Sequence, residues 1–407
     1  MKNFNWLDMF KIRASWGKLG NQNINSYYVG NDILSTGQNY SLNGTLQPGV
    51  AVNSMTNKAT TWETTEQTNI GFDMVLKNGI SVTADYFIKK TKGILMQTPI
   101  PLTMGDLSAP YVNAGKVENK GIEASLSYRK TFSNGLKIRS TLNLSHIVNK
   151  VTDLNGASPI INGAKALKEG YAINSFYGYK MDGVYQISDF TWQNNSDQSI
   201  AYTDRKYTLK PGVVSVANFT ATPGDVKYKD LDGDGVVTMD KDRTILGKQF
   251  PDLSYSLQFN AEWKHFDLGV FLQGVQGIQG YTYYEIATAF SGFANLGSWW
   301  NGRWTPENPS NKYPKLSLDG VRNNIQSSFY MENASYLRLK NIELGYTFDN
   351  NLFPVLGTCK VRVYGNVQNA FTITKFKGFD PEQVVDQTRA EAFPQVRIFS
   401  LGVNVNF

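Results

Sequence analysis

Ten segments of this chain alternate apolar with polar residues, convincingly or in part, and the connections between them alternate between short and long. The segments begin near Phe10, Thr64, Ile80, Glu118, Leu136, Leu253, Phe266, Ser335, Lys360 and Val396. A period of two is the mark of a strand with two unlike faces. Asn78-Gly79 joins the second and third segments and Asn134-Gly135 the fourth and fifth, both dipeptides suited to the type I′ turns of tight hairpins. Lys264-His265 joins the sixth and seventh almost directly. Between the hairpins lie long stretches: Gly17 to Trp62, Gly93 to Val117, Asn149 to Asp252, Val275 to Asn333 and Ile373 to Gln395. A soluble sandwich has no reason to gather every long loop at one end. A membrane barrel does, with short turns on one side and long loops on the other.

The faces support the same reading. In the last segment Phe399, Leu401, Val403, Val405 and Phe407 share one side, and Ile398, Ser400, Gly402, Asn404 and Asn406 the other. Ile122, Ala124, Leu126 and Tyr128 alternate with Glu123, Ser125, Ser127 and Arg129. Tyr255, Leu257, Phe259, Ala261 and Trp263 alternate with Ser254, Ser256, Gln258, Asn260 and Glu262. Segments of about ten residues match a tilted strand crossing a bilayer, and a wet lumen accepts the polar side. A soluble antiparallel sheet with one solvated face has the same alternation, so pattern alone leaves that alternative open. The apolar set slips by one at Lys340-Asn341, which predicts a β-bulge.

Composition narrows the class. No apolar run approaches the ~18 residues of a membrane helix, which excludes a helical span and leaves a barrel untouched. Aromatic residues make up 13% of the 407 residues, including 22 Tyr and 23 Phe, enough for interfacial girdles or for surfaces that stack on sugars. Either use points outside the cytoplasm. Cys359 is the only cysteine, so there is no intrachain disulfide framework and no thiolate cluster. The net charge of +6 is spread along the chain without a basic run, which gives no support for nucleic-acid binding. The opening Met1 to Phe10 lacks the apolar core and cleavage site of a signal peptide.

The sharpest local motif is Asp230-Leu231-Asp232-Gly233-Asp234-Gly235-Val236 in the longest loop. Carboxylates at alternate positions followed by glycine resemble the first half of a calcium loop, with Asp230, Asp232 and Asp234 as carboxylate ligands and Val236 as a carbonyl ligand. Lys241 stands where the closing Glu belongs, leaving Asp240 or Asp242 to complete the shell. A metal-free acidic turn is the alternative. Trp299, Trp300 and Trp304 cluster with Arg303, and Tyr177 and Tyr179 sit in the preceding loop. These six are the candidate ligand-binding residues, by stacking on a sugar or packing a partner, or else they are the private core of a folded loop. His146 and His265, the only histidines, have no metal-ligand spacing, and no nucleophile elbow accompanies them. A carboxylate pair for glycoside hydrolysis is not singled out. The catalytic expectation is therefore none.

Glu332-Asn333-Ala334-Ser335-Tyr336-Leu337-Arg338-Leu339-Lys340-Asn341-Ile342-Glu343-Leu344-Gly345-Tyr346 resembles the late-barrel signature of SusC/RagA-type TonB-linked outer-membrane transporters of Bacteroidetes. Arg13 to Gln22, Trp62 to Gly71, Asn119 to Glu123, Pro223 to Gly235, and Gln368-Asn369-Ala370-Phe371 through Phe379-Asp380-Pro381-Glu382 resemble the same family in the same order. The resemblance implies an all-β fold: an antiparallel transmembrane barrel of about 22 strands, of which this chain holds about ten with long extracellular loops. It implies that residues 1–407 are the C-terminal barrel portion, without plug or TonB-contacting segment. It also implies TonB-driven uptake of glycans or peptides, a SusD-like surface lipoprotein as partner, and a place in the outer membrane among its lipids. Phe407 then resembles the terminal aromatic signal read by the barrel insertion machinery. A secreted or surface β-rich adhesin that binds carbohydrate is the competing expectation.

Overall fold

A computed structural model describes residues 5–21, 30–97, 100–105, 107–193, 199–282, 297–317, 323, 325–348, 359–382 and 395–406. Ten strands form one antiparallel sheet in chain order: β1 (Leu7–Asn21), β2 (Glu63–Leu76), β3 (Ile80–Gln97), β4 (Tyr111–Thr131), β5 (Lys137–Asp153), β6 (Leu253–Trp263), β7 (Phe266–Gln276), β8 (Tyr336–Thr347), β9 (Lys360–Thr374) and β10 (Ile398–Asn406). Every strand pairs with its sequence neighbours, a meander whose edges are β1 and β10. The tight turns at 77–79, 133–135 and 264–265 gather at one end; Gly79 and Gly135 are left-handed but Asn78 and Asn134 are not, so the two Asn-Gly hairpins close through three-residue loops ending in a glycine bulge rather than through the expected type I′ turns. The long connections gather at the other end.

The expected starts fall close to the observed ones except at β4, which begins at Tyr111 rather than near Glu118. The connection expected from Gly93 to Val117 is correspondingly shorter. Gly93, with φ +65°, lies where the register shifts and the ladder then continues, so this glycine makes a bulge rather than ending the strand. Ala114 and Val117 are buried there, so β4 loses the polar alternation that marks its other half. Gly17, taken as the end of the first segment, lies inside β1, which pairs with β2 out to Asn21. The bulge at Lys340 is present: Leu339 and Asn341 pair with consecutive residues Leu272 and Phe271 of β7, leaving Lys340 unopposed.

Register fixes two faces across all ten strands. One carries Ile12, Phe72, Ala84, Ala124, Leu142, Leu257, Leu272, Leu344, Val363 and Leu401, and it includes some of the most exposed apolar side chains of the described residues, with Leu401 at 90%, Phe399 at 71% and Trp16 at 70%. The other carries Arg13, Asp73, Asp85, Glu123, Asn143, Ser256, Gln273, Glu343, Arg362 and Ser400. Above the loop end, the described residues within 154–252, 277–335 and 375–382 pack into a layer of small sheets with its own aromatic core. That core centres on Phe176, Tyr281, Trp300 and Tyr330, with a second cluster around Val226, Tyr228 and Val237.

Candidate functional site

The polar face is organised by two ion clusters of the same design. Arg13 on β1 lies opposite Gly71 on β2, which lies opposite Asp85 on β3. Because Gly71 has no side chain, the guanidinium reaches over it, donating to both Asp85 oxygens at 2.9 Å and from Nε to Asp73 Oδ2 at 2.9 Å. A Cβ on Gly71 would sit 2.2 Å from Asp85 Oδ1. On the far side of the sheet Arg362 of β9 reaches over Gly345 of β8 to Asp267 of β7, with Nε donating at 2.9 Å, and also donates to Glu343 at 2.6 Å. Both are planar, forked pairs of the kind that fixes geometry as well as charge. Between them β3 to β7 present Thr83, Ser125, Asn143, Ser256 and Gln273 along a concave wall.

Where this wall meets the loop layer, a buried network ties the two together. Arg338 of β8, 2% exposed, donates to Asp380 at 2.7 Å, to Glu382 at 2.7 Å and to Thr372 Oγ1 at 2.7 Å. The Tyr336 hydroxyl donates to Glu382 Oε1 at 2.7 Å. The bulge at Lys340 aims its ammonium at the same carboxylate, 2.8 Å away. The segment Phe379-Asp380-Pro381-Glu382 is thereby fastened onto β8, although nothing in its sequence names its partners.

The aromatic candidates part company. Trp300 and Trp304 are 2% and 1% exposed, and Trp304 Nε1 donates to Gln186 Oε1 at 3.0 Å, so these two serve the loop core rather than a ligand-facing surface. Trp299 packs against the same core from its edge, and Arg303 donates to the Trp300 carbonyl. Tyr177 is buried under the Arg243 guanidinium, 5.2 Å from its ring, and Tyr179 tilts against Tyr228 at 5.3 Å. Gly224 supports this packing with φ +88°, since a Cβ there would stand 2.5 Å from the Trp304 ring.

In the acidic loop the carboxylates of Asp230, Asp232 and Asp234 converge within 4.8 Å of one another, a donor set that fits a hard cation. Lys241 Nζ bridges Asp232 and Asp234 at 3.1 and 2.7 Å. Asp230 accepts from the amides of Gly233 and Gly235, both at 2.7 Å, and the Gly235 amide holds its carboxyl below the usual range. Lys241 does the same for Asp234, whose Oδ1 also accepts from the Val236 amide. Asp242, expected as a possible closing ligand, is instead fully buried: it accepts from the Leu231 and Thr238 amides and braces the loop from inside, so it is not placed to close a metal shell. Asp240 and Val236 are exposed at the loop surface. Phe407 lies outside the described residues. His146 is on the apolar face and contacts the Asp252 carbonyl, and His265 sits in its turn against Tyr346.

An apolar exterior, a polar wall bridged by ion clusters, and a one-ended loop layer are the parts of an outer-membrane barrel. The model of the TonB dependent receptor-like β-barrel matches residues 3–370. The chain belongs to the TonB-dependent receptor β-barrel family. This is a family of outer-membrane receptors and transporters. TonB-dependent receptor P3 of Formosa agariphila is 30% identical over the whole chain, which covers 40% of that protein. TonB-dependent receptor SusC of Bacteroides thetaiotaomicron is 28% identical, with all of this chain and 38% of SusC covered. The chain spans about two fifths of the length of the curated relatives it matches. Among solved structures, that of the RagAB peptide transporter superposes on the whole chain with a TM-score of 0.76 at 23% identity, covering 41% of its own chain, a likeness of fold.

Proposed function

We propose that this chain supplies ten wall strands and outer loops to a TonB-dependent importer of oligomeric nutrients, glycans or peptides. The observation that carries the reading is the inverted partition of the sheet between its turn end and the level of Lys18: apolar side chains point out, and the charges of the Arg13 and Arg362 clusters point in and are bridged. Such a face is stable against lipid and costly against water. The unpaired edges of β1 and β10 have no stable place in hydrocarbon, so the functioning protein pairs them with further strands. The loop layer fits contact with a SusD-like lipoprotein and with ligand, and Phe407 fits recognition by the insertion machinery. Asp230, Asp232 and Asp234 would hold calcium once the exposed Lys241 swings aside, bracing the loop. Calorimetry on the full-length protein that takes up no calcium retires that part.

The whole proposal is tested on the full-length protein in cells. It should fractionate with the outer membrane, require detergent for extraction, and support uptake of an oligosaccharide or oligopeptide that loss of TonB also abolishes. Recovery in the soluble fraction without detergent would replace it with the adhesin reading.

A further inference from the structure

On β1 to β5 the outward face changes character at one level. Outward residues run Phe10, Ile12, Ala14, Trp16 on β1 and then reach Lys18. On β3 they run from Ile80 to Ile88 and then reach Lys90 and Lys92. On β4, read from the turn, they run from Tyr128 to Ile122 and then reach Lys120. These apolar stretches span seven to nine residues, somewhat short of the about ten a tilted strand needs to cross a full hydrocarbon layer. The charges begin at the loop-side edge of this apolar band.

These charges form a ladder. Lys18, Glu66, Lys90, Glu118 and Lys150 are cross-strand partners in one continuous row over five strands. Ion pairs join Lys18 to Glu66 at 3.8 Å, Lys92 to Glu66 at 3.3 Å, Lys90 to Glu118 at 3.7 Å and Lys116 to Asp153 at 2.5 Å. Lys120 and Lys150, both exposed, stand outside these pairs among the described residues. Six lysines thus face three carboxylates on one outward surface. The outward positions of β6 to β10 carry no charged residue at all: Leu337, Phe371, Ile373 and Phe399 remain apolar up to their loop ends.

We propose that this outward ladder on β1 to β5 is a docking surface for phosphate-bearing headgroups of the adjoining lipid leaflet. The inference rests on the membrane reading above. Surplus ammonium groups at the edge of the hydrocarbon meet headgroups as their immediate neighbours, and a lysine binds phosphate as a point charge. The alternating carboxylates hold the ammonium groups apart and extended, so that a headgroup bridges Lys120 and Lys150 without displacing a pair.

The test uses the full-length receptor in neutral detergent, titrated with monophosphoryl lipid A and read by native mass spectrometry. The double variant Lys120→Gln/Lys150→Gln should bind about fivefold more weakly per lysine removed. Added salt should weaken the wild type most. Lipid A stripped of its phosphate should bind the wild type no better than the intact lipid binds the variant. The variant's heat-modifiable gel migration and nutrient uptake should be unchanged, because neither lysine faces the lumen. Equal binding by wild type and variant, equal binding of the dephosphorylated lipid, or full displacement by inorganic phosphate overturns the proposal, as does a protein partner captured on this face in place of lipid. A receptor that needs no detergent defeats the membrane reading itself, whereas a detergent-dependent receptor without lipid preference defeats only this inference.

Discussion

The sheet and the loop layer use the same aromatic and aliphatic residues with opposite orientation. In the sheet, Trp16 and Leu401 are 70% and 90% exposed while Arg13 and Arg362 are enclosed by carboxylates. In the layer, Trp300, Trp304 and Tyr228 are all but fully buried while Lys241, Asp232 and Asp234 lie at the surface. A side chain's type therefore does not fix its direction; the medium each region meets does. The sheet is bounded by lipid and lumen, and the layer by water on the outside, so the layer folds like a small soluble domain resting on an inverted one.

The contrast breaks first where burial is deepest. Trp304→Ala should loosen the layer by about 3–5 kcal/mol, since it leaves a cavity and removes the donor to Gln186 Oε1. Hydrogen exchange would rise through residues 175–247 and stay unchanged in β1 to β3. Protection that falls equally in both regions would mean that they fold as one unit. Next, Leu401→Arg should cost about 2–4 kcal/mol for insertion into vesicles, measured by denaturant titration. A soluble sheet would accept that arginine with little effect.

The inward face has a finer probe. Gly345→Ala places a Cβ 2.5 Å from Asp267 Oδ1 and should cost about 1–3 kcal/mol, whereas Gly365→Ala, whose nearest neighbour is Leu401 at 3.5 Å, should be tolerated. Thermal melting of the two variants in detergent separates them, and equal shifts would deny the ion cluster its role. The smallest effect belongs to the acidic loop. Asp230 and Asp234 have folded values below the ordinary one, so the stability they lend is complete above pH about 4 and is lost as pH falls through those folded values. Exchange of the Gly233 and Gly235 amides, corrected for intrinsic rate, should stay flat from neutral pH down to that range and then accelerate. The sheet's protection should not change over the same step.

Alternation, Asn-Gly turns and the slip at Lys340 gave away the ten strands, their order and the bulge, because each of these depends on residues adjacent along the chain or across one hairpin. The start of β4 was missed because its first residues are covered by the layer, which removes the polar half of the pattern. The Arg-over-Gly-to-Asp clusters were also missed: each spans three strands, with partners such as Arg13 and Asp85 far apart in sequence. The only hint was a glycine inside an otherwise alternating strand, at Gly71 and Gly345.

By itself, then, the order of residues determined the two-faced strands, the ends at which turns and loops gather, and the converging carboxylates of Asp230, Asp232 and Asp234. Tertiary structure decided which tryptophans are core, that Asp242 braces the loop instead of offering a ligand, that Arg338 fastens Asp380 and Glu382, and that the lysines of β1 to β5 form one outward row. Periodicity records which medium a strand's faces meet. Contacts between loops arise from chain segments whose spacing carries no period, and only folding brings them together.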